Sequence, residues 1–427
     1  MNKKFFLLTL ILAPAMIFAR VSKQDLCNKI CCVQATANYL CQFTSSLNVD
    51  IIGLKNSVAT IESNIDVLDS RVDVLESKVD VLETEMDTAE SRLDVLEETV
   101  GEPVAETMTI DTAGNYVLQK DFNGCIIIDA NDVTLNLNDR TITGNCDPVI
   151  LVTAGTTGAV IKNGNIIGDS QNNDGIKLEA GADGCTIYDV NINNCDAGIT
   201  VTGSKEILIE NCIIKNCDAY GISFINSGTS EVKYCQVLDI DTTSLFKAFE
   251  SDAKDGATAC NITFYNCIAK NITSTLDVYC FSFPDPVVSY DYIIDNCIID
   301  KITGDNVYAI FSRAERVQVT DNSISNITGT GASGCVGIWC RNSGAEKLYA
   351  HNNFLINFSP STSFGIYVDD DNSTCYISGN FLKEVSGTND RTIYSEDACS
   401  VIGNMSVGNG ADPFSGLGTL VDNSLIA

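Results

Sequence analysis

Short runs of β-branched and aromatic residues recur from about residue 105 onward, each bounded by Asn, Asp or Gly. Three of these runs lead into the same tripeptide: Asn211-Cys212-Ile213, Asn266-Cys267-Ile268 and Asn296-Cys297-Ile298. A fourth copy is altered to Tyr234-Cys235-Gln236, and a later one reads Asn322-Ser323-Ile324. A strand-like unit that repeats along the chain in this way is typical of a solenoid.

A second marker, Gly-Ile, recurs within the same units. It occurs at Gly175-Ile176, Gly198-Ile199, Gly221-Ile222, Gly337-Ile338 and Gly365-Ile366. Each unit therefore contains at least two short strands, and no unit can bury its apolar face without its neighbours. The pattern predicts an all-β right-handed parallel β-helix over residues 104–427, including a C-terminal cap.

The pattern changes to a heptad repeat between residues 51 and 100. Apolar residues fill positions a and d from Ile51 and Leu54 onward. In a parallel pair of helices, a basic residue at position g of one chain faces an acidic residue at position e of the next heptad of the other chain. Arg71 and Glu76 are one such pair. This pattern predicts a parallel coiled-coil stalk over 44–100 that assembles a homodimer or homotrimer. A lone solvated acidic helix is the alternative, and Pro103 ends the helix in either case.

The first 43 residues precede this stalk. Residues 1–19 combine Lys3 and Lys4, an apolar run and a small residue at Ala19, as a signal peptide does. Secretion or display at the cell surface follows, with no membrane span in the mature chain; an uncleaved anchor is the alternative. Residues 20–43 contain Cys27, Cys31, Cys32 and Cys41, whose spacing suits disulfides better than a metal site.

Composition narrows the range of partners. The chain has 427 residues, a formal net charge of −30 and 45% hydrophobic residues. Its apolar content is too high for a disordered chain. Its acidity argues against nucleic acid, anionic membranes and polyanionic polysaccharides as ligands.

Alignment of the units predicts columns of like residues. Cysteine forms two of them: Cys212, Cys235, Cys267 and Cys297 in one, Cys195 and Cys217 in the other. In-register neighbours stay about one strand spacing apart, so we expect buried thiols here rather than a ladder of disulfides. A ladder of side-chain amides is expected at Asn211, Asn266, Asn296, Asn322 and Asn352.

An outward aromatic row follows the Gly-Ile marker in the later units. If Ile310 and its equivalents point inward, the next position points outward. That position holds Phe311, Trp339, Tyr367 and Tyr394. Arg313, Arg341 and Asp369 lie two residues further along on the same face. The row predicts a ligand-binding surface, and the alternative is a column covered by a loop, the C-terminal tail or another subunit.

The strand and turn sequences around Val133-Thr134-Leu135-Asn136-Leu137 and Ile161-Lys162-Asn163-Gly164 resemble the right-handed β-helix proteins of the pectin-lyase-like superfamily. The resemblance covers roughly residues 105–410. It implies the fold, whereas the activities of the superfamily range over lyases, hydrolases, epimerases, phage tailspikes and surface fibres.

Within that superfamily, Asn172-Asn173-Asp174-Gly175-Ile176 resembles the Asn-Thr-Asp-Gly-Ile stretch of polygalacturonases. The resemblance implies a catalytic role for Asp174, with Asp196 and Asp218 at related points of the next units. The polygalacturonase Gly-His-Gly is absent, since the one histidine of the chain is His351. Acids before a turn glycine also occur for backbone reasons alone.

No cofactor is required by these residues. Asp369-Asp370-Asp371 could hold Ca²⁺, or could be a solvated loop. Taken together, the sequence predicts an exported fibre-like protein whose β-helix serves adhesion or glycan binding on a host surface and whose coiled coil gathers chains. The alternatives are a polysaccharide hydrolase or lyase and a purely structural spacer.

Overall fold

The structure is a computed structural model. It describes residues 27–38, 40–42, 44–45, 55–66, 70, 72, 106–169, 173–252, 261–284, 291–331, 334–341, 347–359, 363–369, 374–385, 391–407, 414–421 and 423–426. The chain divides into two compact units, Met1–Thr88 and Ala89–Ala427.

In the first unit, every described residue is helical. The thiols of Cys27, Cys31, Cys32 and Cys41 are exposed and free. Val58, Ile61, Ile65 and Val72 occupy a and d heptad positions and are about half exposed. The predicted signal peptide and most of the predicted stalk lie outside the described residues, so both stay predictions. No described helix is both long enough and apolar enough to cross a membrane.

The second unit is built from short strands. The first are β1 (Glu106–Ile110), β2 (Gly114–Val117), β3 (Phe122–Ile128), β4 (Val133–Asn136), β5 (Thr141–Gly144), β6 (Ile150–Val152), β7 (Val160–Gly168), β8 (Ile176–Leu178), β9 (Thr186–Asn193), β10 (Ala197–Thr202), β11 (Ile207–Glu210) and β12 (Ile213–Lys215). The next are β13 (Tyr220–Ile225), β14 (Ser230–Lys233), β15 (Gln236–Thr242), β16 (Phe246–Asp252), β17 (Asn261–Tyr265), β18 (Ile268–Ser274), β19 (Val278–Phe283), β20 (Asp291–Asp295), β21 (Ile298–Gly304), β22 (Val307–Ser312), β23 (Arg316–Thr320) and β24 (Ser323–Gly329). The last are β25 (Cys335–Arg341), β26 (Lys347–His351), β27 (Phe354–Ser359), β28 (Ser363–Asp369), β29 (Thr374–Ser378), β30 (Phe381–Val385), β31 (Arg391–Ile402), β32 (Met405–Val407), β33 (Phe414–Val421) and β34 (Ser424–Ile426).

These strands stack in parallel as three sheets, and each turn of the chain visits the sheets in the order A, B, C. Sheet A contains β11, β14, β17, β20, β23, β26 and β29. Sheet B contains β12, β15, β18, β21, β24, β27 and β30. Sheet C contains β8, β10, β13, β16, β19, β22, β25, β28 and β31. The all-β parallel β-helix predicted from the repeats is confirmed.

The Gly-Ile marker has a steric origin at the start of the sheet C strands. At Gly221 a Cβ atom would lie 2.3 Å from the backbone oxygen of Ala248 on the next turn. A side chain cannot fit where the backbones of two turns approach this closely. The isoleucine that follows glycine, such as Ile222, is fully buried. The marker therefore fixes the register of sheet C.

Apolar side chains fill the interior of the β-helix. Phe249 and Phe281 stack with ring centroids 4.8 Å apart, and Phe264 packs edge-on against Phe281 at 5.4 Å. The two cysteine columns are also interior. Their members, Cys195, Cys212, Cys217, Cys235, Cys267 and Cys297, are buried free thiols, as the sequence predicts.

The predicted asparagine ladder needs one correction. Asn211, Asn266, Asn296 and Asn352 do share a column, in left-handed backbone conformation between sheets A and B. Asn322 instead continues the cysteine column, because Ser323 pairs with Ile298. From there the interior column reads Asn322, Asn353, Asn380, Asn404 and Asn423, each amide oxygen accepting from the backbone N–H of the turn before.

Disulfides join Cys125 to Cys146 and Cys375 to Cys399. The second joins in-register neighbours, with Cα atoms 4.8 Å apart. The expectation that neighbouring turns stay too far apart for a disulfide is therefore wrong at this place.

Candidate functional site

One column of outward residues follows the length of sheet C. Strand pairing aligns its members turn by turn. In order they are Lys177, Thr200, Ser223, Glu250, Ser282, Phe311, Trp339, Tyr367 and Tyr394. We call this surface the sheet C face. It contains the predicted aromatic row, whereas the predicted acids lie beside its first turns, before the sheet C strands begin.

The aromatic row is a half-buried stack. Ring centroids are 5.1 Å apart between Phe311 and Trp339, 5.8 Å between Trp339 and Tyr367, and 5.3 Å between Tyr367 and Tyr394. Because the rings pack on one another along the β-helix axis, each ring's face is largely used by its neighbours. A ligand at this surface would meet ring edges and the tyrosine hydroxyls.

A second, interrupted set of rings, which the sequence analysis missed, lies three residues earlier in β19, β22 and β28, with Val336 at this position in β25. Tyr279 stacks on Tyr308 at 4.7 Å, Tyr308 packs against Trp339 at 5.1 Å, and Phe364 stacks on Tyr367 at 4.8 Å. The signal that could have revealed this row is the aromatic residue two positions before the inward isoleucine. The sheet C face therefore carries a second set of rings beside the aromatic row.

Charged groups border the aromatic row. The guanidinium of Arg341 lies 5.7 Å from the ring centroid of Trp339 and pairs with Asp369 at 3.4 Å. The indole N–H of Trp339 and Nε of Arg313 are enclosed, and neither has a hydrogen-bond acceptor among the described residues. Burial of an N–H group without a hydrogen-bond acceptor costs free energy. These two N–H groups therefore favour a ligand oxygen atom that accepts from them.

The predicted acids gather where sheet B turns into sheet C. Asp174, Asp196 and Asp218 precede β8, β10 and β13 on successive turns, with Asp174 aligned to Ala197 rather than to Asp196. Asp147, which the sequence analysis missed, precedes β6 on the turn before. Its Oδ1 accepts from the backbone N–H of Asp174 at 3.1 Å.

Two of these carboxyl groups have raised pKa values. Burial, and then the charge of Asp147, raises the pKa of Asp174 to about 6. Burial, and then the charge of Asp218, raises the pKa of Asp196. A carboxyl group that stays protonated into the weakly acidic range can donate a proton, which an ordinary surface aspartate cannot do.

Glu250 lies between the acids and the aromatic row. Its side chain is 2% exposed, and its burial raises its pKa. The ammonium of Lys247 pairs with one carboxylate oxygen, and the hydroxyl of Ser223 donates to the other at 3.2 Å. Thr200, Ser223 and Ser282, its neighbours in the column, are also buried, so this part of the column is not exposed to solvent.

Other candidate groups lie elsewhere or are not described. His351 bonds Ser378 at 2.8 Å on sheet A, away from the acids. Asp370 and Asp371 of the suggested Ca²⁺ loop lie outside the described residues. Within the described part of the chain, no cluster of three or more His, Cys, Asp or Glu residues could hold a metal ion.

A family model described as "Right handed beta helix region" matches residues 125–355, more than half of the chain. The chain belongs to this right-handed β-helix family. Among curated proteins, none matches the sequence.

Solved structures similar to this family member include tailspike proteins of E. coli bacteriophage HK620. One, a mutant in complex with a hexasaccharide, is 12% identical, with 80% of this chain and 73% of that chain covered at a TM-score of 0.38. Another, a mutant in complex with a pentasaccharide, is 11% identical, with 74% and 72% covered at a TM-score of 0.31. Likeness of this degree does not carry a ligand from one protein to another.

Proposed function

We propose that this right-handed β-helix protein is exported and binds a glycan chain along the sheet C face. The observation that carries the proposal is the aligned row of half-buried rings on this face, formed by Phe311, Trp339, Tyr367 and Tyr394. The predicted signal peptide at residues 1–19 supports export.

The shape of the face favours a linear polymer as ligand. The half-buried aromatic part of the column extends over four consecutive turns, from Phe311 to Tyr394, or about 14 Å at the usual strand spacing. It presents ring edges together with the hydroxyls of Tyr367 and Tyr394. Sugar chains present both apolar ring surfaces and hydroxyl groups, so they match such a lining.

The charge of the face selects among glycans. Asp147, Asp174, Asp196 and Asp218 form a run of acids at one end, and they would repel carboxylated or sulfated sugars. Arg341, at the other end, is already paired with Asp369. We therefore expect a neutral glycan rather than a polyanionic one.

The predicted coiled coil adds multivalency to this proposal. If residues 44–100 assemble chains in parallel, several sheet C faces act together and avidity strengthens weak binding. The mass of the full chain in solution tests the assembly, and a monomer would remove the stalk from the proposal.

Substitution of Trp339 tests glycan binding. We expect Trp339→Ala to weaken binding at least ~10-fold, because a central aromatic side chain usually dominates an interface. The measurement is a glycan array, followed by titration of each bound glycan. The matched control is Tyr349→Ala, an exposed aromatic on sheet A that stacks on Tyr376 at 5.3 Å. Equal signals from wild type and Trp339→Ala would contradict the proposal, and no signal from wild type would favour a structural spacer.

A second candidate function, glycan hydrolysis, is favoured by the acids. Asp174 and Asp218 lie two turns apart, about 9.6 Å at the usual strand spacing, which is at the upper limit of the carboxylate separation of about 6.5–9.5 Å in inverting glycosidases. The raised pKa of Asp174 would let it act as the general acid. The rings of the sheet C face would then hold the chain beside the acids.

Substitution of Asp174 tests hydrolysis. If wild type releases reducing ends from a neutral polysaccharide, we expect Asp174→Asn to abolish the release. Release by wild type should fall as pH rises through about 6, because protonated Asp174 is then lost. Asp241→Asn, an exposed acid on sheet B, is the control. Equal release by Asp174→Asn would exclude Asp174 as the acid.

A further inference from the structure

The altered fourth copy of the Asn-Cys-Ile repeat places a tyrosine where the backbone favours asparagine. Tyr234 adopts a φ of 55°, in the left-handed region. The equivalent positions on other turns hold small polar residues: Asp189, Asn211, Asn266, Asn296, Asp321 and Asn352. Asparagine and aspartate tolerate this conformation, whereas a bulky aromatic residue is strained in it. Strain retained at one turn of a regular repeat points to a function for that side chain.

The strained tyrosine lies on the surface beside a cavity. Tyr234 is 46% exposed, and its ring packs edge-on against Tyr265 at 5.9 Å. The cavity has a volume of about 580 Å³ and is lined by Tyr234 together with Tyr188, Glu210, Asn211 and Gln236. This volume is within the range of small-molecule sites, roughly 300–1,000 Å³. The cavity opens at the corner between sheets A and B, on strands other than those of the sheet C face.

The polar groups of the cavity divide into fixed and available ones. The amide of Asn211 donates to Asp189 Oδ1 and holds that carboxylate in place. The side chains of Glu210 and Gln236 form no hydrogen bond with the rest of the described chain. Glu210 supplies acceptors, and the Gln236 amide supplies both donors and an acceptor. This set is suited to hydroxyl groups, which both donate and accept.

We propose that this corner cavity binds one sugar unit of a neutral saccharide, with Tyr234 and Tyr188 against its apolar side and with Glu210 and Gln236 on its hydroxyls. An organic cation also suits tyrosines beside carboxylates. However, the ammonium of Lys162 already lies 5.6 Å from the ring centroid of Tyr188 and would repel a second cation. The site is independent of the sheet C face, so either can exist without the other.

The repeat itself supplies the test variant. Tyr234→Asn restores the residue type of the column, removes the ring and relieves the strain, so the variant should unfold at the same or a higher temperature than wild type. The probes are lactose, maltose, cellobiose, chitobiose and methyl α-rhamnoside, each followed by saturation-transfer NMR on the full chain. We expect at least one to bind wild type and to bind Tyr234→Asn at least ~10-fold more weakly.

Two further variants identify the site. Tyr349→Ala should retain that binding, since Tyr349 is an exposed residue that lines neither site, and Glu210→Gln should weaken it without unfolding the chain. Three results would overturn the inference: no sugar of the panel binds, Tyr234→Asn binds as wild type does, or choline binds in a Tyr234-dependent way while the sugars do not. Loss of binding in Trp339→Ala but not in Tyr234→Asn would assign the sugar to the sheet C face instead.

Discussion

Asn353→Ala should lower the free energy of unfolding by about 3–5 kcal/mol, because several buried polar groups lose their partners at once. The Asn353 amide oxygen accepts from the backbone N–H of Asn322 at 3.1 Å, and its nitrogen donates to the backbone oxygen of Val319 at 2.9 Å. Its own backbone N–H is bonded to Asn380 Oδ1 at 2.9 Å. Urea denaturation followed by circular dichroism measures the loss.

Two further variants distinguish loss of this asparagine ladder from nonspecific destabilisation of the fold. Asn353→Cys should fall between wild type and Asn353→Ala, since a thiol takes the same place on earlier turns, where the Cys267 N–H donates to Cys297 Sγ at 3.4 Å. Asn352→Gly, next to it, should change stability by less than about 0.5 kcal/mol, because that residue is exposed and glycine accepts its positive φ. Similar losses from Asn352→Gly and Asn353→Ala would contradict the interior ladder.

Phe264→Ala should cost about 3–5 kcal/mol through the cavity it leaves. Phe264 is fully buried and touches three other rings, those of Phe249, Phe281 and Phe283, at centroid distances of 5.7, 5.4 and 5.9 Å. Neighbouring turns are held in register by strand pairing, so they cannot collapse into the space. The midpoint of urea unfolding reports the change.

The matched control is Phe354→Ala on the outside of sheet B. Phe354 is 41% exposed and stacks on Phe381 at 4.9 Å. Only one ring contact is lost there and no cavity forms, so the expected cost is about 1 kcal/mol or less. Equal costs at the two positions would mean that the packing of Phe264 is not what stabilises its turn.

The sequence predicted the fold because the repeat carries its own register. Gly221-Ile222 and its equivalents mark the points where neighbouring backbones approach, and the residue after the isoleucine points outward on every turn. The column from Lys177 to Tyr394 could therefore be aligned before any coordinates were known. Residues of one column occupy equivalent positions of the repeat, and the repeated sequence pattern reveals these positions.

The error at Asn322 shows where such alignment fails. Asparagine suits two adjacent positions of the repeat, the left-handed turn residue and the interior ladder residue, for different reasons. Asn322-Ser323-Ile324 looks like Asn-Cys-Ile but is shifted by one position, with Asp321 in the left-handed conformation. Residue type alone does not distinguish the two positions, whereas the pairing of Ser323 with Ile298 does.

The candidate site was predicted only in part. The acids and the aromatic row were identified separately in the sequence. Their positions relative to each other along sheet C follow from the strand pairing. The row formed by Tyr279, Tyr308 and Phe364 was missed because it precedes the inward isoleucine rather than following it. Burial of Glu250 depends on the side chains of Ser223 and Lys247, which lie on its own and the preceding turn.

Oxidation of the buried thiols would make unfolding irreversible. Among the described residues of the β-helix, ten free cysteines are buried. While the turns stay closed, air cannot oxidise them, but a chain that opens without reductant exposes many thiols that can cross-link in non-native pairs. The working life of the molecule under oxidising conditions is then set by how rarely it opens rather than by its equilibrium stability. In the later turns amides replace thiols in the ladder, and the buried free thiols that remain among the described residues there are those of Cys335 and Cys340.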